Sequence, residues 1–299
     1  MTILMTGSSG FIGLALVPFL TNRGHRVTRL VRSQPSPGEV AVRWDPVAGT
    51  LETARLEGLD AVVHLAGESL AAGRWTVERK ARIRDSRVKG TRLLCESLAQ
   101  LAQPPKVLIC ASAIGYYGDR GEEPLQEESA PGSGFLAEVC REWEAAAEPA
   151  VQRGIRVVHL RFGMVLSPKG GALAKMLFPF RIGAGGILGS GRQYWSWIAL
   201  DDALGAIHHV FTTDTLQGPV NAVAPHPVTN REFTKTLGRV LGRPTPFPIP
   251  AFAARLAFGE MADEMLLAST RVEPTRLLAT GYRFRHPELE GTLRHLLGE

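Results

Sequence analysis

The feature that most constrains this chain is a glycine-rich turn within its first thirteen residues. Residues 1–13 read MTILMTGSSGFIG, an apolar stretch followed by glycines at positions 7, 10 and 13. Gly7 permits a tight turn, Gly10 lets a pyrophosphate approach the backbone, and Gly13 lets a helix pack closely on a strand. Free N–H groups at the start of that helix attract phosphate. The sequence therefore predicts a dinucleotide site, the alternative being a glycine turn in another kind of βαβ unit.

The second predicted strand, residues 26–32, ends on Arg32 and is followed by Ser33. NAD-preferring versions of this unit carry an Asp or Glu here, which accepts a hydrogen bond from the ribose 2′-hydroxyl. A guanidinium cannot accept a hydrogen bond, but it binds a 2′-phosphate through charge-assisted bonds. We therefore predict NADP(H) as the cofactor. The alternative is that Arg32 is only a solvated charge at the end of a strand.

The first half of the chain alternates short apolar strand-like segments with helix-like segments. Such alternation is typical of a doubly wound parallel sheet with helices on both faces. We therefore predict an α/β Rossmann-type fold with a smaller, α-rich C-terminal region on the substrate side. The proline-rich segment 243–250 reads as a linker or as an extended strand within one globule. The predicted strands are 3–6, 27–31, 40–43, 60–65, 106–111, 155–160 and 219–223, and the predicted helices are 11–23, 76–101, 135–153 and 230–241.

Composition excludes several classes of protein. A chain of 299 residues can bury about three quarters of its unfolded surface without disulfides. Its three cysteines lack the spacing of a zinc site or a redox motif, which favours buried thiols in a reducing compartment. No apolar run is long enough to span a membrane, and the chain opens on a strand rather than a signal peptide. We therefore expect a cytoplasmic protein with no membrane partner.

The charge pattern argues against nucleic acid, and the histidines argue against a metal. The formal net charge is +5, but the basic run at residues 79–89 has no aromatic residues between its charges. Nucleic-acid binding favours basic faces with stacking aromatics. His208 and His209 are neighbours on a predicted helix and point about 100° apart, so they do not form a metal pair. We predict a small-molecule ligand, no nucleic acid and no metal; a protein partner stays open.

Several motifs together resemble the extended short-chain dehydrogenase/reductase superfamily, in its atypical, nucleotide-sugar epimerase type. They are residues 6–13 (TGSSGFIG), 60–67 (DAVVHLAG), 87–94 (RVKGTRLL) and 195–202 (WSWIALDD). A narrower sugar-nucleotide epimerase subgroup, labelled cell-division-inhibitor-like, is similar at residues 43–46 (RWDP), 112–119 (SAIGYYGD) and 135–144 (FLAEVCREWE). The resemblance covers nearly the whole chain.

The resemblance implies an NAD(P)-binding epimerase/dehydratase-like Rossmann domain over residues 1–222. It also implies a C-terminal helical module of unknown function over residues 248–297. The expected cofactor contacts are Gly7, Ser9, Gly10, Phe11, Ile12, Gly13, Arg32, Ser33, Trp44, Asp45, Leu65, Ala66, Gly67, Arg87, Ala111 and Met164.

The chain departs from the superfamily at its catalytic dyad. The superfamily's Tyr-x-x-x-Lys helix uses the tyrosine as acid and base, and the lysine lowers the pKa of that tyrosine. In the matching helix, Phe135 and Leu136 stand where the tyrosine should fall, and Val139 and Cys140 where the lysine should. Neither pair can perform that chemistry, so we expect the dyad to be absent.

Other side chains are candidates for the missing chemistry. Ala113 stands at the usual serine position, with Ser112 one residue earlier, and Tyr116 and Tyr117 are the nearby phenols. Ser112, Tyr116 and Tyr117 are therefore our predicted catalytic residues, the alternative being that the tyrosines pack as loop aromatics. We expect an NADP(H)-dependent oxidoreductase or epimerase acting on a small polar carbonyl or carbinol compound. The alternative is a non-catalytic NADP(H)-binding protein of regulatory or structural function.

Overall fold

The computed structural model describes residues 1–36 and 38–299. Within these residues, no helix has both the length and the apolar character needed to cross a membrane. The strands are Thr2–Thr6 (β1), Arg26–Val31 (β2), Ala41–Asp45 (β3), Thr50–Leu51 (β4), Ala61–His64 (β5), Val107–Ala113 (β6), Pro124–Leu125 (β7), Arg156–Phe162 (β8), Met164–Leu166 (β9), Tyr194–Trp195 (β10), Trp197–Ala199 (β11), Gly218–Ala222 (β12), Val228–Thr229 (β13) and Arg271–Val272 (β14). The α-helices are Phe11–Thr21 (α1), Val77–Ala99 (α2), Phe135–Ala145 (α3), Glu148–Gln152 (α4), Gly171–Arg181 (α5), Leu200–Thr212 (α6), Asn230–Val240 (α7), Ala251–Phe258 (α8), Thr275–Ala279 (α9) and Leu289–Leu297 (α10).

An eight-stranded sheet in the order β12-β8-β6-β5-β1-β2-β3-β4 forms the centre of the molecule. Its strands pair in parallel, except that β4 pairs antiparallel with β3. β1 lies between β2 and β5, and Ile3 is level with Val27 on one side and Ala61 on the other. From β1 the chain builds the sheet outward through β2, β3 and β4, and it then crosses to β5 on the other side of β1. The strand order therefore switches between β1 and β5, and ligands bind at such a switch point. The predicted doubly wound α/β fold is confirmed.

Helices cover both faces of the sheet because its central strands are apolar on both sides. One face packs against α1 and α6, through residues such as Leu16 and Ala203. The other face packs against α2 and α4, through residues such as Leu94 and Ala150. Sheets buried on both faces require near-continuous apolar strands, as the run of fully buried residues in β5 shows.

The helix predicted over residues 135–153 is two helices. α3 ends at Ala145, and α4 begins at Glu148 with Pro149 in its first turn. Proline lacks a backbone N–H, which is tolerated in the first turn of a helix, where an N–H would have no intrahelical acceptor, but not in the interior. The apolar periodicity continues through the break, so periodicity alone could not locate it.

The C-terminal part of the chain packs against the rest in several places. A third apolar cluster joins α5, β10, β11 and α7 to Leu289 and Leu293 of α10. β14 pairs in parallel with β7, and α9 lies against β12. The proline-rich segment forms no strand of regular length, and Ile249 makes only an isolated bridge to Leu188. The last fifty residues, 250–299, are called the C-terminal segment below. They therefore pack against both the sheet and the loops at its edge.

Candidate functional site

The glycine turn after β1 has the backbone geometry that its sequence requires. Gly7 has a φ of +66°, and a Cβ there would press against the backbone carbonyl of Leu65. A Cβ on Gly13 would overlap the carbonyl oxygen of Gly7, so only glycine lets α1 pack this closely on the turn. Gly10 donates its N–H to Gly7 O at 2.9 Å and stays exposed. The turn therefore leaves open backbone above the start of α1.

The start of α1 fits a phosphate group. Gly10 is the N-cap residue and supplies no side-chain cap, and no acidic residue lies in the first turn. The first N–H groups of a helix have no intrahelical partner, and the helix dipole places partial positive charge there. Ser9 is exposed beside them, while Phe11 and Ile12 are half-buried. This open cradle of N–H groups fits the pyrophosphate of a dinucleotide.

Two exposed arginines lie near the ends of the neighbouring strands β2 and β3. Arg32 and Ser33 are exposed directly after β2, and Arg43 is exposed on the neighbouring strand β3, level with Val31. The charges of Arg43 and Arg32 both contribute to lowering the pKa of Asp45, so both guanidinium groups lie near that carboxylate. Sequence reasoning did not name Arg43 as a candidate contact, although the alternation of β3 turns its side chain outward.

Trp44 and Asp45 both have partners inside the protein, and their assignment as cofactor contacts stays a prediction. Trp44 is 3% exposed, packs edge-on against His64 and belongs to the core. Asp45 accepts hydrogen bonds from the N–H groups of Val47 and Ala48, which are the main reason why its pKa is lowered. Trp44 therefore supports the sheet, and Asp45 fixes the turn that follows β3.

The end of β5 forms the opposite wall of the cradle. Leu65 and Ala66 donate their N–H groups to Thr6 Oγ1, at 3.1 Å each, and Gly67 is exposed. Arg87 of α2 reaches this wall, because a Cβ on Gly67 would lie 3.3 Å from its Cζ. The predicted contacts at residues 65–67 and 87 are thus brought together.

Arg87 is a cation with only backbone acceptors among its hydrogen bonds. Its Nη1 donates to the carbonyls of Glu68 at 3.1 Å and Ile83 at 3.0 Å. Burial lowers the pKa of Arg87, because the guanidinium has lost much of its hydration. A desolvated cation without a bonded carboxylate favours an anionic or electron-rich ligand next to it.

A cavity of about 360 Å³ opens beside the glycine turn, where β6 and β8 end. Three of the predicted contacts, Phe11, Arg87 and Met164, line it, and a fourth, Ala111, lies half-buried in β6. Most of the lining is apolar, including Leu70, Ala113, Ile114, Leu136, Val139, Trp143, Phe162, Val165, Met176, Met265 and Leu266.

The wall formed by α3 presents apolar side chains and a thiol to the cavity. Leu136, Val139 and Cys140 line the cavity at the positions where the superfamily has tyrosine and lysine. Burial raises the pKa of the Cys140 thiol to about 12, so it is neutral at physiological pH. A neutral thiol cannot replace the lysine's charge.

The three predicted catalytic side chains lie outside the lining of this cavity, and their catalytic role stays a prediction. Ser112, Tyr116 and Tyr117 are not among the described residues that line the cavity. Ser112 is 3% exposed, and Tyr117 is completely buried. Tyr116 is half-buried, with its ring edge-on to Tyr117 and 3.5 Å below the Cζ of Arg161. The tyrosines therefore pack as loop aromatics.

A buried ion pair holds these hydroxyl groups. Arg161 donates two hydrogen bonds of 2.8 Å to the carboxylate of Glu144, which also accepts one of 2.7 Å from Ser112 Oγ. Arg161 donates to Tyr117 Oη at 2.9 Å, and Tyr117 donates to Asn221 Oδ1 at 2.7 Å. Ser112 and Tyr117 thus donate their hydroxyl protons to partners inside the protein.

Glu264 is the cavity residue that sequence reasoning missed. It lies in a π-helical turn, Ala262–Leu267, and is the one carboxylate among the described lining residues. Its Oε1 and Oε2 accept the N–H groups of Phe135 at 3.1 Å and Leu136 at 3.0 Å. The C-terminal segment thus brings a carboxylate to the start of α3, where the tyrosine is missing. No local motif could reveal a contact across so many residues.

Comparison with known proteins agrees with this geometry. A model of the NAD dependent epimerase/dehydratase family matches residues 3–222, and a model of a domain of unknown function, DUF1731, matches residues 249–296. An epimerase family protein of Mycobacterium bovis is 44% identical over 284 residues, covering 95% of this chain and 93% of its own. The human epimerase family protein SDR39U1 is 38% identical over 300 residues, covering 99% of this chain and 100% of its own.

The crystal structure of human SDR39U1 (isoform2) with NADPH superposes on this chain with a TM-score of 0.90 at 35% identity, covering 100% of both chains. The similarity thus includes both the sheet and the C-terminal segment. Together with the parallel sheet and its glycine turn, these matches show that the chain belongs to the NAD dependent epimerase/dehydratase family and has its NAD(P)-binding fold.

Proposed function

We propose that the chain binds NADP(H) and is an oxidoreductase or epimerase that acts on a small carbonyl or carbinol compound. The observation that carries this proposal is the apolar cavity of about 360 Å³ beside the glycine turn, with Glu264 on its wall. A protein that only held the nucleotide would not need an apolar cavity next to the nucleotide. Apolar cavities with a few placed polar groups are typical of small-molecule sites.

The phosphorylated cofactor is favoured by the charges at the edge of the sheet. Arg32 and Arg43 are both exposed there, and the acidic residue of NAD-preferring sites is missing. The human relative with which this chain superposes was crystallised with NADPH. The start of α1 would hold the pyrophosphate, Arg32 and Arg43 the 2′-phosphate, and Arg87 the ribose side of the nicotinamide. When bound, the cofactor supplies or accepts a hydride.

Glu264 is our candidate for handling the substrate proton. Each of its oxygens accepts one backbone N–H, which leaves a further lone pair on each oxygen for a substrate hydroxyl. The carboxylate would accept the proton of a carbinol during oxidation and return it during reduction. This role assigns chemistry to a segment of unknown function.

The cavity favours a less polar substrate than the sequence led us to expect. Arg87 is the one cation among the described lining residues, and the remaining walls are mainly aliphatic or aromatic. A sugar nucleotide would bring several hydroxyls and phosphates that such walls cannot satisfy. We therefore propose a small carbonyl or carbinol compound with an apolar body.

The experiment measures NADPH binding and turnover in the same samples. Calorimetry with NADPH and NADH gives the affinities, and nicotinamide absorbance follows a panel of aldehydes, ketones and secondary alcohols. We expect Glu264→Gln to keep NADPH affinity within twofold and to lose about 100-fold or more in kcat, since general acid–base groups contribute that much. Glu260→Gln is the matched control, because Glu260 lies in the same segment but pairs with Lys80 outside the cavity. Absence of NADPH binding, or full turnover by Glu264→Gln, would contradict the proposal.

A second candidate is a non-catalytic NADP(H)-binding protein. Its specific support is the replacement of the dyad by Leu136 and the neutral thiol of Cys140. Tight NADPH binding with no turnover across the panel would favour this candidate.

A further inference from the structure

Three potential metal ligands from distant segments meet on the surface away from the cavity. Asp201 lies in the first turn of α6, His286 in the loop before α10, and His295 in α10 itself. One ligand atom from each lies within 4.8 Å of the other two. Both histidine Nε2 atoms approach the same carboxylate oxygen, Asp201 Oδ2, His295 at 3.4 Å and His286 at 3.8 Å.

These distances suit ligands that share one ion. Zinc binds imidazole nitrogen at about 2.0–2.1 Å and carboxylate oxygen at about 2.0–2.2 Å, so neighbouring ligands of a tetrahedral site lie about 3.3–3.5 Å apart. His295 and Asp201 already have this spacing. His286 Nε2 lies somewhat farther from the same oxygen, at 3.8 Å. The two imidazole rings are stacked, with centroids 4.3 Å apart and an angle of 22° between their planes.

The surrounding structure fixes the backbone that carries His286 and His295. Asp202, which is fully buried, accepts the backbone N–H groups of Arg285 at 2.8 Å and His286 at 2.9 Å. His295 is carried by a helix whose Leu289 and Leu293 are buried in the third apolar cluster. Ligands placed on fixed elements lose little entropy when an ion binds.

We propose that Asp201, His286 and His295 form a binding site for one divalent transition-metal ion of the Zn²⁺ class. Two imidazoles and one carboxylate are a ligand set that suits zinc, cobalt or nickel rather than calcium or magnesium. The side chains of His295 and Asp201 are about half exposed, which leaves a coordination position open to water. The bound ion would link α6, which packs against the central sheet, to α10 of the C-terminal segment. Sequence spacing predicted no metal, because no motif connects ligands this far apart in the chain.

The test uses tag-free, full-length protein that has been dialysed against a chelator. Calorimetric titration with ZnCl₂ should give one equivalent per chain, and Co²⁺ should give the visible absorption of a tetrahedral complex. The thermal midpoint should rise with Zn²⁺. His295→Ala and Asp201→Asn, which alter partly exposed side chains, should each raise the Zn²⁺ dissociation constant more than tenfold. They should also abolish the thermal shift.

The control is His226→Ala, which removes an exposed histidine that pairs with Glu288 outside the cluster. It should bind Zn²⁺ as the wild type does. Zn²⁺ binding that is unchanged in His295→Ala would place the ion elsewhere and overturn the proposal. Absence of stoichiometric Zn²⁺ binding would show that the three side chains make only surface contacts with one another. This result would overturn the proposal as well. Neither result depends on NADPH binding or turnover.

Discussion

At the scale of single residues, Arg32 is expected to decide between the two nicotinamide cofactors. It is exposed at the end of β2, with the charge of Arg43 close by. Arg32→Asp removes a cation and introduces an acceptor for a ribose hydroxyl. We expect the ratio of NADPH to NADH affinity to fall at least tenfold, since one charge-assisted hydrogen bond contributes about 1.5–3 kcal/mol. Calorimetry with both nucleotides measures the ratio.

Arg55→Asp is a control for the change of net charge, because Arg55 is an exposed arginine in a separate turn, Thr53–Arg55. An affinity ratio that is unchanged in Arg32→Asp would leave Arg32 as a solvated charge.

His64 is a second residue with a measurable consequence, because it is buried in its neutral form. Its Nδ1 lies 2.7 Å from Thr6 Oγ1, which already accepts two N–H groups and therefore donates its own proton to Nδ1. His64 Nε2 then donates to Thr91 Oγ1 at 2.9 Å. A proton on Nδ1 would have no acceptor. Burial lowers the pKa of His64 to about 4.

This pKa predicts how stability depends on pH. A histidine in the unfolded chain titrates near 6.5, so acid protonates the unfolded state first. The free energy of unfolding should therefore fall between about pH 6.5 and about pH 4, by about 3 kcal/mol for this group, and His64 should lower it no further below the folded pKa. Urea unfolding measured at several pH values across this range gives the free energy of unfolding as a function of pH. This free energy should depend less steeply on pH in His64→Gln than in the wild type. An equal pH dependence in both proteins would mean that His64 takes up its proton at the same pH in the folded and the unfolded state, which would contradict the lowered pKa.

At the scale of elements, α3 begins without a cap of its own and depends on Glu264. Gly134 precedes the helix with a φ of +103°, and a Cβ there would overlap Glu264 Oε1. Gly134→Ala should therefore both strain the backbone and displace the carboxylate from the N–H groups of α3. We expect a loss of about 2–4 kcal/mol in the free energy of unfolding, the sum of a backbone and a capping term. Urea denaturation measures it.

Gly154→Ala separates the two terms of this prediction. Gly154 has a φ of +85°, but a Cβ on it meets no atom within 4 Å. Its alanine variant should lose only the backbone contribution. Equal destabilisation of both variants would show that the contact with Glu264 adds nothing to stability.

At the scale of the whole molecule, the C-terminal segment is expected to fold cooperatively with the rest of the chain. Leu293 of α10 is fully buried in the cluster that includes Phe233 of α7 and Trp195 of β10. Leu293→Ala should cost about 2–5 kcal/mol, as cavity-forming changes in cores do. A single unfolding transition, shifted to lower urea, is the expected result. Leu278→Ala, at a leucine that is 50% exposed, should cost much less.

A separate early transition in Leu293→Ala would show instead that the C-terminal segment unfolds by itself. This matters for function, because the same segment delivers Glu264 to the cavity. If the two parts fold together, destabilising α10 also removes the carboxylate from the start of α3.

The sequence by itself determined the glycine turn, the doubly wound sheet and the loss of the catalytic dyad. Each of these depends on local rules: a positive φ at Gly7, apolar runs at strand and helix spacing, and residue types at Leu136 and Cys140. Such rules act within about one turn or strand, so a linear reading can apply them.

Only the tertiary structure decided which polar groups reach the cavity. Ser112 and Tyr117 looked available, but Glu144, Arg161 and Asn221 bind their hydroxyls from other elements. Glu264 arrives from the far end of the chain. Desolvation, ion pairing and cavity shape depend on contacts between segments that are distant in sequence, and no local pattern records them.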